Sequence, residues 1–498
     1  MDNNRTNTTI PDEVISLFLN ELQIKKLNIL NNITSDGVTL EYIEKAFNYT
    51  PRKAKDFAKN FVEEINSYII ESKECLVILN NTIYFSDNVH ESNFIKIIQE
   101  TRETYVEHSS LYRFLTYILK KRNFDVTDIT ESIFYSESYV YKLIAKVNIL
   151  FSSLNLKIYF EKNNDMFSLC GNEIEIRYLY YFTISVVAKG TKQYLDLIDS
   201  KLSDYFIESY SKEFNRLSPI GKTRVYYFLV IFSSSINTQN FLPELSDEIK
   251  ELACIFSRYN ENTNLDAFGN LQNRYILNEN LVLFCIISYF TQEFYTDFEK
   301  SKIGNTLSNI KNNHVVDTCK ALLQQVCSKY SLDTFTFNLM LYTLCNNMIV
   351  IHYLKLYKFM YLKENHYYGS VDTKFIKQCI DLNLTYFTSK EDYAKLKSNF
   401  FQIIASEVSL VPTVKIYIEF FQQPEYKSFI KNTLKNIYNK NLIEITENYK
   451  KADIIISDTI GYDADQENYY YFKNIFDKKS WIKLGEYINK KVINKNLY

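Results

Sequence analysis

Glycine and histidine are scarce in this chain of 498 residues, which has nine glycines and five histidines. Gly171 and Gly190 are the closest pair of glycines, so neither a GxGxxG loop nor a GxxxxGK loop can form and hold nucleotide phosphates. The histidines show no HExxH motif and no paired Cys/His spacing. The sequence therefore predicts no metal site and no bound cofactor, and we expect no enzymatic activity.

Long apolar runs are absent as well. The longest, at residues 225–232 and 281–290, fall short of the ~20 residues that cross a bilayer, and the polar first residues do not have the pattern of a signal peptide. The eight cysteines contain no CxxC pair, which indicates free, mostly buried thiols in a reducing compartment. We expect a soluble cytoplasmic protein with no membrane partner.

Helical periodicity is what the chain has in abundance, and it predicts a mostly α-helical, multidomain fold. Two β-hairpins interrupt the helices of the first third, one around the Asn80-Asn81 turn and one around residues 163–165. The stretch between Pro243 and Pro412 has no proline and mostly helical spacing. The end of the chain alternates strand, helix and strand, which favours a small α/β domain with a parallel sheet.

An internal repeat within residues 1–170 is the most informative pattern. Residues 39–61 are predicted to form a short helix, a tight turn and a longer helix that begins at Thr50-Pro51. A shift of 86 positions aligns this unit with a second one, in which Ile43 matches Ile129 and Phe57 matches Leu143. Thr50 matches Ser136, and both are expected to cap the longer helix through their hydroxyl groups.

Each unit has the order of a winged helix-turn-helix: a helix, the helix pair and a hairpin. In this arrangement the second helix of the pair enters the major groove of duplex DNA and the hairpin lies against the flanking backbone. The candidate DNA-binding residues are Thr50, Arg52, Lys53, Lys55, Lys59, Ser136, Ser138, Tyr139, Tyr141, Lys142 and Lys146. For any single lysine, a merely solvated helix face is the alternative interpretation.

Charge limits this interpretation to local contacts. The whole chain has a net charge of −2, so no global attraction draws it to nucleic acid. The contacts must be concentrated on the helix tips and wings, and we expect binding to depend strongly on salt.

The chain resembles the Mga/AtxA family of bacterial virulence regulators. The resemblance rests on the tandem winged helix-turn-helix units and especially on four segments: Ser136 to Ile144, Leu154 to Leu156, Leu169 to Glu173, and Ile176-Arg177. It implies winged helix-turn-helix domains at residues 1–90 and 91–171. Two helical phosphotransferase-system regulation domains, or PRD-like domains, would follow at residues 172–299 and 300–408, and an EIIB-like α/β domain at residues 409–498. It also implies a homodimer and regulation by the phosphocarrier proteins HPr and EI.

In such regulation domains a histidine can be phosphorylated, and residues 109–313 contain none. His352 is the main candidate, with Lys355 and Lys358 as cations for the arriving phosphate. A partly buried histidine with a structural role remains an equal alternative, and His314 and His366 are weaker candidates. The loop at residues 420–424 has no cysteine where EIIB domains of the cysteine type carry one, so no phosphoryl relay is expected there.

The favoured function is a DNA-binding transcriptional regulator of virulence or metabolic genes. An RNA-binding antiterminator is the alternative, because regulation domains also occur in that class. An enzyme or phosphocarrier is the weakest of the three, since the chain lacks glycine loops and the EIIB cysteine.

Overall fold

The computed structural model describes residues 17–33, 37–68, 75–86, 91–187, 206–257, 273–360, 372–384, 390–408, 414–420, 426–438, 442–446, 448, 451–457, 468–472 and 476–497. Helix predominates among them, which confirms the mostly α-helical multidomain class. The chain forms two compact units, described separately below. The first is Met1–Asp317 with Leu341–Leu362 and Phe387–Leu396, and the second is Thr318–Met340 with Lys363–Tyr386 and Lys397–Tyr498.

The first unit opens with a winged helix. Its elements are α1 (Glu21–Asn32), β1 (Val38–Thr39), α2 (Leu40–Phe47), α3 (Pro51–Tyr68), β2 (Leu76–Leu79) and β3 (Thr82–Phe85). The strands pair antiparallel in the order β1-β3-β2. Apolar residues at helical spacing on α3, including Ala54, Phe57, Phe61 and Ile65, are buried against the sheet and α1. This core holds α3 in place while its opposite face stays in solvent.

A second winged helix repeats the plan. Its elements are α5 (Ser110–Lys121), β4 (Asn123–Asp125), α6 (Val126–Ile133), α7 (Glu137–Ser153), β5 (Ile158–Asn163) and β6 (Met166–Gly171). The sheet order is β4-β6-β5. The short strands β1 and β4 were not predicted from the sequence. Two or three residues have no periodicity of their own, and these segments form strands only by pairing with the wing.

Helix α4 (Glu91–Glu107) lies between the two winged helices and packs on α1, α3 and α5. The Tyr105 hydroxyl donates a hydrogen bond to Glu64 of α3 at 2.7 Å, and Glu64 also pairs with Lys26 of α1. Burial alone would raise the pKa of Glu64, but these two partners outweigh it and lower the pKa. Glu64 therefore joins three helices through one charged group.

The remainder of the first unit is helical. Its helices are α8 (Glu173–Phe182, continued by a π-helical turn Thr183–Val187), α9 (Ser211–Arg216), α10 (Pro219–Asn237), α11 (Asp247–Ser257), α12 (Asn273–Phe290) and α13 (Asp297–Ser308). Aromatic packing is prominent here, for example between the stacked rings of Tyr181 and Phe228, whose centroids lie 4.2 Å apart. Helices α14 (His314–Cys327), α15 (Thr334–Met348) and α17 (Lys390–Val408) are shared by the two units.

Two further features complete the first unit. A π-helical turn at Ile349–Tyr353 continues α15, and a short 3-10 helix follows at Leu356–Phe359. Segment Thr334–Tyr353 is long and apolar enough to cross a membrane by length and composition, but 67% of the apolar window is buried inside the protein, as in the core helix of a soluble domain.

The second unit contains α16 (Thr373–Asn383) and a parallel sheet. The sheet has the order β10-β9-β7-β8, built from β7 (Val414–Glu419), β8 (Ile443–Ile445), β9 (Ile454–Ser457) and β10 (Tyr469–Tyr471). Helices α18 (Tyr426–Ile437) and α19 (Lys478–Leu497) belong to the same α/β region. The parallel pairing agrees with the sequence prediction, although β10 was not foreseen.

Phe420 is buried in the core of this α/β region, against Phe472 and Tyr426. Its role there is packing. The rest of that loop lies outside the described residues.

The eight cysteines all lie among the described residues, and none of them forms a disulfide. Cys285, Cys319 and Cys345 are buried as expected, whereas Cys327 is exposed. Among the described residues no group of His, Cys, Asp and Glu has the arrangement of a metal site.

Candidate nucleic-acid interface

The exposed face of α3 carries the basic residues of the first unit. Arg52, Lys53, Lys55 and Lys59 are all exposed, on the face opposite the buried residues Ala54 and Phe57. This division follows from the helical period, because apolar side chains three and four positions apart share one face. The residues that the sequence singled out are therefore brought together on one solvent-facing surface.

Local contacts orient part of this surface. The Thr50 hydroxyl accepts a hydrogen bond from the Lys53 amide at 3.3 Å, which is the expected cap. The Lys53 ammonium lies over the ring of Tyr49, 4.2 Å from its centroid. Lys59 lies 3.8 Å from Glu63 one turn further on. Arg52, Lys53 and Lys55 all lie between residues 51 and 55, so the positive charge is concentrated at the amino-terminal end of the helix.

Helix α7 presents a different surface. Ser138, Tyr141, Lys142 and Lys146 are exposed, while Val140, Leu143 and Val147 of the opposite face are buried. Here apolar groups accompany the charges, since Tyr141 has 47% of its surface exposed and Ile149 has 57%. The second helix therefore has fewer cations and more apolar surface than α3.

Two residues of α7 differ from the expectation. Ser136 occupies the N-cap position, but its hydroxyl makes no hydrogen bond to the backbone and instead lies 3.2 Å from the Ser138 hydroxyl. Tyr139 is half-buried, because its hydroxyl is bonded to Ser110 of α5 at 2.9 Å and its ring packs on Tyr135. Tyr139 thus joins α7 to α5, and only the rest of the set faces solvent.

The turns between the paired helices confirm the 86-residue register. Asn48 and Phe134 each follow the first helix of the pair and adopt the left-handed conformation, with φ of 53° and 58°. Asparagine tolerates this conformation, whereas a bulky side chain there is strained. Phe134 is nevertheless 87% exposed, so no packing around its ring compensates.

The strands of the two wings are separated by slightly fewer positions than the 86 that separate the helix pairs. Val38 pairs with Ile83 and Phe124 pairs with Phe167, so the partners on the two wings are 84 positions apart. The turn of the first wing has two left-handed residues, Asn80 and Asn81, as a tight hairpin requires. The tip of the second wing is exposed, and Lys162 near that tip lies over the Phe167 ring, 5.3 Å from the centroid.

A buried ionic network lies at the base of the second wing. Arg122, which ends α5, bonds Glu173 at 2.9 Å, and Arg177 bonds the same carboxylate at 2.9 Å. Arg177 also pairs with Glu279 of α12 and stacks on the Phe232 ring. Burial acts to lower the pKa of Arg177, but Glu279 and Glu173 raise it above its ordinary value. The Ile176-Arg177 motif of the sequence therefore has a structural role in joining the wing to the helical region.

The candidate histidine His352 lies in the π-helical turn, with its Nδ1 against Oδ2 of Asp392 on α17. Its side chain is 26% exposed and Asp392 is 6% exposed. The contact with Asp392 therefore fixes the orientation of the His352 ring. The ammonium of Lys358 is buried against Glu175 and Asn155, and Lys355 is half-buried, so the expected pair of cations is not assembled beside the His352 ring. His314 is exposed at the start of α14, and His366 lies outside the described residues.

Comparison with known families follows this geometry. Residues 96–183 match the family described as Mga helix-turn-helix domain. The match spans most of α4, all of the second winged helix, and α8 with the first residue of its π-turn. The chain has no significant match among the curated proteins. The first winged helix lies outside the matched residues and is known from the structure.

Proposed function

We propose that this chain is a DNA-binding transcriptional regulator of the Mga/AtxA family, because residues 96–183 match the Mga helix-turn-helix domain. In this proposal both winged helices bind duplex DNA and control virulence or metabolic genes. The observation that supports this proposal most directly is that α3 and α7 each present exposed basic and polar residues on the face opposite their buried apolar residues. A helix of this kind fits the major groove, where base edges carry the sequence information.

The two helices divide the work in this proposal. Arg52 and Lys53 sit at the start of α3, where they reach phosphates or the acceptor atoms of guanine. Helix α7 offers Ser138 and Lys142 for hydrogen bonds together with the exposed Tyr141 ring, which suits contact with the thymine methyl group. The first helix then supplies more of the electrostatic affinity and the second more of the sequence preference.

Two double variants test the proposal. The DNA is a duplex with the sequence of a promoter that the unsubstituted protein binds. R52A/K53A and K142A/K146A are each expected to weaken binding to this duplex by at least about tenfold, or about 1.4 kcal/mol. The measurement is fluorescence anisotropy, with circular dichroism to confirm that the fold is intact. K302A/K311A removes two exposed charges from α13 and the turn after it and serves as the matched control. Undiminished binding by both test variants would refute the proposed interface.

The same anisotropy assay distinguishes a DNA-binding regulator from the alternative function, an RNA-binding antiterminator. An antiterminator would prefer a hairpin RNA to a duplex of the same sequence, whereas a major-groove reader prefers B-form DNA, because the major groove of A-form RNA is too narrow for a helix. Equal or tighter binding of the RNA would favour the alternative.

The regulatory part of the proposal concerns His352. The contact of Nδ1 with Asp392 fixes the orientation of the ring, and the partly exposed side chain of His352 is the proposed phosphoryl acceptor. HPr and EI of the phosphotransferase system are the proposed donors. Incubation with labelled phosphoenolpyruvate, EI and HPr is expected to label the protein, and H352A is expected to lose the label while H314A keeps it. Label that persists in H352A would exclude this residue.

The remaining parts of the proposal rest on family resemblance. We propose a cytoplasmic homodimer that acts without enzymatic activity, and in which the EIIB-like region supports assembly rather than phosphoryl relay. Sedimentation across micromolar concentrations tests the assembly, and a monomer throughout that range would contradict it.

A further inference from the structure

The segment at residues 349–360 connects the candidate histidine to the base of the second wing. It begins with the π-helical turn, passes through Lys355 in the left-handed conformation with φ of 60°, and ends in the 3-10 helix. Two contacts from α17 set its course: Asp392 holds His352, and Lys395 donates to the Tyr357 carbonyl at 2.7 Å. A π-turn and a left-handed non-glycine residue are both departures from regular helix that mark functional segments.

Lys358 is the residue of this segment that reaches the DNA-binding unit. Its side chain is 5% exposed, and its ammonium lies 2.8 Å from a carboxylate oxygen of Glu175, which is itself fully buried. The ammonium also donates to the Asn155 carbonyl at 2.8 Å. A buried cation with these partners is held strongly, because its withdrawal would leave the Glu175 carboxylate buried without its cation.

The two partners of Lys358 contact the connection between α7 and strand β5 of the second wing: Asn155 belongs to it, and Glu175 bonds to it. Asn155 is left-handed, with φ of 49°, in the connection between α7 and β5. The other carboxylate oxygen of Glu175 accepts a hydrogen bond from the Lys157 amide at 2.6 Å. Lys358 and Glu175 together thus determine the conformation of residues 155–157, and with it the angle between α7 and the wing.

We propose that Lys358 is a positioning residue for DNA binding, through which the charge at position 352 controls the geometry of the second winged helix. This inference rests on the proposed function of that winged helix. In the unmodified protein the neutral or protonated ring of His352 pairs with Asp392, the segment keeps its course, and Lys358 holds the wing for binding.

A negative charge at position 352 reverses this arrangement. A phosphoryl group or a carboxylate there would face the nearly buried Asp392 carboxylate, and like charges in a poorly solvated site repel strongly. Residue 352 would move away from Asp392 and carry the following turn with it. Lys358 would then lose its place between Glu175 and Asn155, and α7 would lose its fixed angle to the wing.

A thermodynamic cycle tests the inference in the full-length protein. H352E, K358M and H352E/K358M are compared with the unsubstituted chain for anisotropy on the same promoter duplex. H352E and K358M are each expected to weaken binding at least fivefold, and the double variant is expected to match K358M within twofold, since the link is already broken. K358R keeps the charge and is expected to retain most of the affinity. N305E and K302M, at exposed positions of α13, are the matched controls.

Hydrogen exchange supplies a readout that a general loss of stability would not move. H352E is expected to speed amide exchange at residues 155–158 while leaving the core of the first winged helix unchanged. K358M alone leaves the buried Glu175 carboxylate without its cation and could prevent folding. In that case E175Q/K358M, which removes both charges of the pair, replaces K358M in the cycle, and H352E is added to it.

The outcomes are distinct. If H352E and K358M weaken binding in a multiplicative way, or if H352E leaves exchange at residues 155–158 unaltered, the inference is overturned although DNA binding stands. If the unsubstituted chain does not bind duplex DNA, the proposed function itself fails.

Discussion

At the scale of single residues, Asn48 and Phe134 show how a duplicated position can diverge. Both end the first helix of their pair in the left-handed conformation. Asparagine adopts this conformation at modest cost, because its short polar side chain bonds locally, whereas L-residues in general are destabilised there by about 1–2 kcal/mol. The exposed ring of Phe134 obtains no packing in return.

The substitution F134N is expected to stabilise the second winged helix by about 0.5–1 kcal/mol, since it removes this strain. The reciprocal change N48F is expected to destabilise the first by a similar amount. The measurement is native-state hydrogen exchange in peptides covering residues 140–147 and 54–61, which reports each unit separately.

Phe298 supplies the control, because it is 71% exposed in the ordinary helical turn at the start of α13. F298N should not stabilise the protein, since no left-handed strain is relieved. A gain at Phe298 equal to that at Phe134 would show that loss of exposed apolar surface, and not backbone conformation, is responsible.

At the scale of elements, the second wing depends on one glycine. Gly171 ends β6 with φ of +131°, and a Cβ atom there would lie 2.1 Å from the Lys157 carbonyl oxygen. That carbonyl accepts a hydrogen bond from Asn172, so it cannot move freely. Only glycine fits both the conformation and the close approach.

G171A is therefore expected to destabilise the wing by about 2–4 kcal/mol and to weaken DNA binding. Faster hydrogen exchange in β5 and β6 is the direct measurement. G485A is the control: Gly485 lies in α19, a Cβ there would meet nothing closer than 3.6 Å, and alanine is expected to stabilise that helix by up to about 1 kcal/mol. Unchanged exchange in the G171A wing would contradict the steric argument.

The elements that could be predicted from sequence are those with a local cause. Helix α3 follows from apolar residues at helical spacing after a Thr-Pro start, and the first hairpin from two asparagines between apolar strands. Strands β1, β4 and β10 could not be predicted, because they exist through pairing with partners distant in the chain. The contact between Lys358 and Glu175 was equally out of reach, since no local pattern relates residues that far apart.

The candidate DNA-binding residues divide in the same way. Helical spacing was sufficient to place Arg52, Lys55 and Lys142 on exposed faces. It was not sufficient for Tyr139, because the bond to Ser110 comes from another helix. Nor did it show that the Ser136 hydroxyl, although at the cap position, would turn toward Ser138.

At the scale of the whole molecule, a net charge of −2 is combined with two local basic surfaces. Attraction to DNA must then come from the cations nearest the duplex, on α3, α7 and the wings, because charges further than about a Debye length are screened. Six exposed lysines and arginines lie on the two helices: Arg52, Lys53, Lys55, Lys59, Lys142 and Lys146.

These six cations are accordingly expected to contribute about −5 to the slope of log Kobs against log salt concentration, from about −0.9 per neutralised phosphate. R52A/K53A is expected to reduce the slope by about two. Titration of a promoter duplex at several KCl concentrations gives both numbers. A slope that R52A/K53A leaves unaltered would mean that these residues do not contact phosphates.

The constant distance of 86 positions between Asn48 and Phe134 has a genetic consequence. The strand, the helix pair and the turn that begin at Val38 recur 86 positions later, beginning at Phe124. An unequal crossover between the two copies would therefore add or remove one whole winged helix without interrupting a helix. Variants with one or three winged helices can arise in this way by a single recombination event. If both winged helices bind DNA as proposed, each such event would shorten or lengthen the DNA site by the part that one winged helix contacts.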